Sequence, residues 1–378
     1  MNCFSPHSKR ARRTRDSHRT TRLALSLVLL GIATGCARRP PPEYARSRAA
    51  AERAYAAGRY EEAATNWLHA AERARAPRDA NEARYRAAAS WERAGKRAEA
   101  AGLYEELASG PETDRSARAA FELAELKVEA GDREAGNAMV DDAIRRYPGS
   151  GLARRALQRR LLDRSDEGGP VAALDYLDRM EPALRQTALA EFVAYERARY
   201  QELAGAKEAA RDGYLGVARR FPYPFGAFWD DALYHAAKLD VELGRPHAAI
   251  AHLEQMLSKR EPKPALGSLE RPRFGPARFL IAEIYRDQLG DGDAARRTFL
   301  LVVNEHPTSP LRDDALWEAA LIARSEGNTR AACHDLGRLA REMPDSRYVP
   351  CTHAVCPELP RTSRRCHSYI AAEISEDR

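Results

Sequence analysis

The chain has 378 residues, 44% of them apolar, 7% aromatic and 31% charged, with a formal net charge of +6. That length fits two or three globular domains or one long repeat array, and the wealth of Ala, Arg and Glu favours closely packed helices over strands. The positive charge would suggest a nucleic-acid partner only if it were spread along the chain. It is not: residues 1–35 hold seven Lys/Arg against one Asp, a net of +6, so everything from residue 36 onward sums to zero.

From the N-terminus, Lys9, Arg10, Arg12, Arg13, Arg15, Arg19 and Arg22 precede an apolar run from Leu23 to Ala33. A basic start, a short apolar middle and small residues before a cut make up a secretory signal. The run is too short to span a bilayer, which takes roughly 20 residues. Its end, A-T-G-C at 33–36, resembles a bacterial lipobox. The resemblance implies that residues 1–35 are a lipoprotein signal peptide and that Cys36 carries lipid. Residues 36–43 then form the anchor and a spacer stiffened by Pro40, Pro41 and Pro42, which keeps the rest of the chain close to a membrane. Ala37, in place of an Asp after the Cys, is compatible with outer-membrane sorting.

Beyond the spacer a Gly recurs at 58, 95, 131, 168, 205, 244, 290 and 327, at intervals of 37, 36, 37, 37, 39, 46 and 37. Five residues after each stands a small residue: Ala63, Ala100, Gly136, Ala173, Ala210, Ala249, Ala295 and Ala332. Nine after come Trp67, Tyr104, Val140, Leu177, Tyr214, Leu253, Phe299 and Leu336. Twelve after come Ala70, Leu107, Ala143, Met180, Val217, Met256, Val302 and Leu339, so both sets are apolar throughout. Pro follows seventeen after at 148, 222, 307 and 344 and stops a helix. Such spacing predicts helical hairpins: Gly bends the chain in the left-handed conformation, and plus five, nine and twelve share the buried face of the second helix. Ala51, Ala88, Ala124, Ala198, Ala237 and Ala320, seven before their glycines, supply the matching small contact, and Leu161 and Glu283 break that pattern.

The period, the small residues around the turn, the large apolar residue four further on and the closing Pro resemble the tetratricopeptide repeat. Eight copies cover residues 44–347, with "GRYEEA" at 58–63 close to the family's turn. The linkers "YPGSGLARRAL", "HPTSPLRDDALWEAA" and "MPDSRYV" look like the periplasmic branch, as in outer-membrane assembly lipoproteins (BamD-like) and tol-pal coordination proteins. The resemblance implies an all-α solenoid, a right-handed superhelix whose concave groove, lined by first helices, takes a partner. Ten residues before the glycines stand Arg48, Tyr85, Phe121, Gln158, Tyr195, Tyr234, Leu280 and Trp317, five of the eight aromatic, a row suited to anchoring an interface. Two readings stand for it: an open row, with at least Tyr195, Tyr234 and Trp317 accessible, or packing between neighbouring first helices.

Two segments interrupt the regularity. Residues 258–276, "SKREPKPALGSLERPRFGP", are too Pro-rich for helix and predict a projecting loop; "FPYPFGAFW" at 221–229 predicts an aromatic packing plug between repeats. The tail, 348–378, leaves the repeat and predicts a cap. With Cys3 in the signal and Cys36 lipidated, Cys333, Cys351, Cys356 and Cys366 remain, an even set that in an exported chain argues for two disulfides. Three pairings are possible; Cys333 with Cys351 and Cys356 with Cys366 is the one preferred here. The rival, a zinc site using His334, His353 and His367, lacks the usual ligand spacing, and no metal or other cofactor is expected.

No P-loop, HExxH or GxSxG pattern occurs. "GDGDAA" at 290–295 mimics a dinucleotide fingerprint but follows a helix, where that geometry needs a strand. Glu61, Glu62, Asp313 and Asp314 read as solvated helix starts. The expectation is a non-enzymatic scaffold without nucleic-acid or small-molecule ligands, lipid-anchored and facing the periplasm, that binds other envelope proteins. A glycan-binding or peptidoglycan-associated module, or the accessory subunit of an envelope enzyme, is the second reading.

Overall fold

A computed structural model describes residues 40–259 and 271–376. The signal segment, Cys36 and the middle of the 258–276 insertion lie outside the described residues. The chain divides into two compact units at residues 126 and 127. Unit 1 contains α1 (Pro42–Ala56), α2 (Tyr60–Arg73), α3 (Pro77–Arg93), α4 (Arg97–Ser109) and most of α5 (Asp114–Glu129). Unit 2 continues with α6 (Arg133–Arg146), α7 (Gly151–Leu184), α8 (Ala190–Leu203), α9 (Lys207–Arg220), α10 (Trp229–Glu242) and α11 (Pro246–Leu257). It ends with α12 (Phe274–Asp287), α13 (Gly292–Glu305), α14 (Arg312–Ser325), α15 (Thr329–Glu342), α16 (Thr352–Val355) and α17 (Ser368–Glu376). Among the described residues there is no strand.

Local chemistry sets the helix ends. Pro opens α1, α3 and α11, where its missing N–H would be unpaired in any case. Asp132, Asp291 and Asn328, each directly after a turn glycine, accept hydrogen bonds from the amides of Ala135, Ala294 and Ala331 and cap α6, α13 and α15. Seven of the eight glycines bend the chain as expected, at φ between +64° and +92°. The exception is the fourth. Gly168 has φ −146°, and it is Gly169 that has φ +73° and ψ −176°. Pro170 disfavours a helical conformation in the residue before it, and this extended, positive-φ geometry is open to glycine alone. The kink divides α7 into two helices, 151–167 and 170–184, so each unit is a series of antiparallel hairpins.

The predicted buried face is the observed one. Every residue at plus five, nine and twelve is buried except Val140, which is half-buried, and Ala51, Ala88, Ala124, Ala198, Ala237 and Ala320 have no exposed surface. The two exceptions in the sequence are accommodated differently. Leu161 is itself fully buried, while in the seventh hairpin the turn is one residue longer, so that Ala282 takes the small, buried position and Glu283 turns aside. Where a tyrosine fills plus nine, its hydroxyl needs a partner, and a glutamate on the first helix supplies it. The Tyr104 hydroxyl donates to Glu92 at 3.1 Å and the Tyr214 hydroxyl to Glu202 at 2.7 Å, both twelve residues apart. Ion pairs tie one hairpin to the next: Lys96 to Glu61 in unit 1 and Arg296 to Asp335 in unit 2.

The last hairpin is closed by the tail. After α15 the chain makes a 3₁₀ turn at Val349–Cys351, then α16, and α17 returns with Ile370 and Ile374 buried in the same apolar cluster as Leu336 and Leu339. Two disulfides hold it, but not in the preferred pairing: Cys333 bonds Cys356 and Cys351 bonds Cys366. Tyr348–Val355 first lies along the last hairpin, so Cys356, beyond the end of α16, comes back over Cys333, and buried Cys351 is left to meet the returning segment. Asp313 and Asp314, expected as solvated, hold this path. Asp313 accepts from Ser346 at 2.8 Å, and Asp314 accepts from the Tyr348 hydroxyl at 2.7 Å and from Arg347 at 2.5 Å.

One chemical change should have opposite signs at two glycines, because an added Cβ meets nothing within 4 Å at Gly205 or Gly216, while only Gly205 has positive φ, +78°. Gly205→Ala is expected to lower stability by about 1–2 kcal/mol, and Gly216→Ala, within α9, to raise it by about 0.5–1 kcal/mol. Urea unfolding midpoints read both, and equal signs would refute the turn assignment. Non-reducing peptide mapping should recover the 333–356 and 351–366 pairs. Removing one pair, which close loops of 23 and 15 residues, should cost about 2–4 kcal/mol.

Candidate partner-binding face

In unit 1 the predicted row is represented by Tyr85 on α3 and Phe121 on α5, both half-buried. Tyr85 sits in a polar frame: its hydroxyl donates to Glu122 at 3.1 Å, its ring lies 5.7 Å from Tyr104 and the Arg115 guanidinium covers it at 4.8 Å. Burial and the neighbouring Glu122 push the Tyr85 hydroxyl up to about 12, so it remains a neutral donor. Burial also raises the Glu122 carboxyl above its ordinary value. Arg115 is held in turn by Glu82.

In unit 2 the row divides. Tyr195 on α8 is buried at 9% exposure, stacked on Phe228 at 4.5 Å and tilted against Tyr214 at 5.5 Å. Trp317 on α14 has no exposed surface, because Tyr348 of the tail stacks on it at 4.8 Å with 15° between the planes. Neither is an open anchor: Tyr195 packs against the start of the next first helix, whereas Trp317 is covered by the tail and not by a neighbouring first helix. Tyr234 on α10 is half-buried beneath the Arg273 guanidinium at 5.0 Å, and Arg273 pairs with Asp231 at 2.6 Å. Beside it His235 stacks on Tyr214 at 5.1 Å, with Glu202 at 3.4 Å from its Nδ1. Burial outweighs that carboxylate and holds His235 below the usual histidine value.

Two further contributors carried no repeat signal. Arg154, at the start of α7, lies 5.1 Å from the Phe192 ring and 5.2 Å from Phe228. Arg273 comes from the C-terminal end of the 258–276 segment, directly before α12, whose first turn at Phe274 already lies within the stretch expected as loop. Only hydrophobic patterning was legible along each first helix; a cation placed over a ring from the next hairpin leaves no local trace. The accessible groups this face presents are therefore a half-buried ring, Tyr234, with Asp231 and Lys238 on the same helix and Arg273 over it.

Metal chemistry is not favoured at the tail. The one grouping of possible ligand atoms found among the described residues is Cys333, Cys356 and Glu358, and its two sulfurs are joined to each other, so neither is a thiolate. His353 Nδ1 bonds the Leu359 carbonyl oxygen at 2.7 Å, and His334 pairs with Asp335 at 3.1 Å. The dinucleotide-like "GDGDAA" is a hairpin turn whose Asp291 caps α13.

Residues 276–309 match the family model described as tetratricopeptide repeat, a span that takes in nearly all of α12, all of α13 and the linker after them. No curated protein matches. Solved structures with similarity include YrrB, described as a TPR protein with an unusual peptide-binding site, at 17% identity over 54% of this chain and 91% of that one, with a TM-score of 0.36. PilF of Pseudomonas aeruginosa is similar at 15% identity over 62% and 94%, TM-score 0.38. The C-terminal part of a TPR repeat-containing protein from Cytophaga hutchinsonii is similar at 14% identity over 70% and 98%, TM-score 0.42. Residues 276–309 match a tetratricopeptide repeat, and the fold is all-α among the described residues, each unit a series of helical hairpins, the second closed by a disulfide-tied tail.

Proposed function

We propose that this protein is a non-catalytic scaffold held at the bacterial envelope by lipid on Cys36, facing the periplasm from the outer membrane, where it binds envelope proteins during outer-membrane or envelope assembly. Arrays of tetratricopeptide repeats are protein-interaction scaffolds. The observation that carries the reading is how the side chains are divided. The small and apolar positions of the hairpins are spent on packing them together. What remains at the surface of the first helices in unit 2 is a chemically varied set around Tyr234, suited to recognising a polypeptide by one aromatic contact and charge-assisted hydrogen bonds.

The compartment is supported from two directions: the basic, apolar and small-residue order of residues 1–36, and two disulfides, which persist in exported proteins and are rare in a reducing cytosol. Fatty-acid labelling should mark the wild-type chain and not Cys36→Ser, and the label should fractionate with the outer membrane. Cross-linking in intact cells should capture a protein partner. Capture should fall by about tenfold or more in Tyr234→Ala combined with Arg273→Ser, as at an interface anchor, and survive Arg330→Ala, on the first turn of α15. Retention on isolated sacculi without any protein cross-link would instead establish the peptidoglycan-associated reading.

A further inference from the structure

The inter-hairpin edge of unit 2 carries a feature that partner binding on the first helices does not use. Three successive turns, at 146–150, 185–189 and 221–228, and the described ends of a fourth, 258–259 and 271–273, lie side by side. Arg145 reaches Met180 Sδ at 3.2 Å, Arg220 donates to the Arg185 carbonyl oxygen, and Arg271 lies 3.5 Å from the Gly226 carbonyl oxygen. No described residue of these turns is acidic, and Arg146, Arg185, Arg219, Arg220 and Lys259 are exposed along them. The acids around them are engaged: Asp142 pairs with Arg145, Asp178 and Glu181 share Arg197, Asp230 and Asp231 pair with Arg271 and Arg273, and Glu191 accepts from the Phe228 amide at 2.7 Å.

At the centre of this basic edge stands Phe225, 91% exposed. The aromatic plug expected at 221–229 forms only in part. Trp229 is buried, Tyr223 packs 5.6 Å from it and Phe228 stacks on Tyr195, but Phe225 is turned outward between exposed Pro224 and Ala227. The turn is braced to do so. The amides of Phe225 and Gly226 both bond the Pro222 carbonyl oxygen at 3.1 Å, and a Cβ on Gly226 would meet the Phe221 carbonyl oxygen at 2.0 Å.

We propose that this edge of unit 2 contacts an anionic phospholipid surface, the Phe225 ring entering the headgroup layer while Arg185, Arg219 and Arg220 meet headgroup phosphates. An aromatic ring and prolines surrounded by arginines, with no acid among the described turn residues, match the two layers of such a surface, apolar below and negative above. A nucleic acid would engage the same cations but would leave a single projecting Phe, with no neighbouring ring to continue a stack, without a role. The proposal rests on placement of the chain at a membrane, and its test removes the lipid on Cys36 so that each can fail alone.

The chain from residue 36, exported behind an unrelated cleavable leader with Cys36→Ser, is floated with phosphatidylcholine vesicles containing or lacking phosphatidylglycerol. Binding is expected only with phosphatidylglycerol and should weaken with added salt. Arg219→Ala and Arg185→Ala should each reduce it about fivefold, and Phe225→Ala about tenfold. In Phe225→Trp, the emission gained over the wild-type chain should shift to the blue on those vesicles and be quenched by brominated lipid, a readout that does not depend on any loss of folding. The proposal is overturned if the chain does not float, or if it floats while the added emission of Phe225→Trp is unchanged. It is also overturned if an oligonucleotide binds with the same affinity and Phe225→Ala has no effect on lipid binding.

Discussion

Everything in this fold depends on how closely two helices can approach. A ridge of alanines at zero exposure, seven residues before the turn on one helix and five after it on the next, lets the axes come within the 8–10 Å at which backbones nearly touch. Only then does the larger residue at plus nine reach across. The Tyr104–Glu92 and Tyr214–Glu202 bonds exist because the approach puts a second-helix hydroxyl beside a first-helix carboxylate. The arrangement has a cost. Alanine removes little apolar surface from water, so a single hairpin is poorly stabilised and depends on its neighbours, and the last one has no neighbour. The tail answers that need with Ile370, Ile374 and two cross-links.

Positions that face inward within one hairpin were readable, since their register is local: a small residue five after a glycine and an apolar one at nine and twelve need no knowledge of what lies elsewhere. The aromatic row was a different matter. Whether Tyr195 is open depends on Phe228, and whether Trp317 is open depends on Tyr348, each in the following hairpin or the tail. Periodicity says which way a ring points, not what the next element lays over it. Disulfide connectivity failed for the same reason, being set by the path of the tail along the last hairpin rather than by the order of the cysteines. At 168–170 two glycines competed for one turn, and it was the following proline that chose between them.

Charge shows how much a sum can hide. From residue 36 onward the chain is neutral, yet its charges are sorted. Acids such as Asp141, Asp240 and Asp335 are buried or nearly so and held by Arg160, Arg211 and Arg296. Each of these carboxylates needs its cation, because an ionised group left alone in the interior would cost several kcal/mol. Drawing acids inward leaves exposed arginines at the helix C-termini, where the backbone carbonyls favour them, and α6 and α9 both end in Arg-Arg.

This sorting separates two surfaces within unit 2. Tyr234 and its charged neighbours project from the flank of a first helix, whereas Phe225 and its arginines sit on turns at the helix ends. Flanks and ends of a rod face different directions, and Arg273, on the last of these turns and over the Tyr234 ring, is where the two surfaces meet. In the proposed function the turns would meet the lipid surface while a polypeptide lies along the first helices. The same residues that stop each second helix, an Arg pair followed by an aromatic and a Pro at 145–148 and 219–222, thereby also supply the basic edge. Helix termination and surface chemistry are here one feature of the sequence, which is why a repeat pattern alone reduces the edge to punctuation.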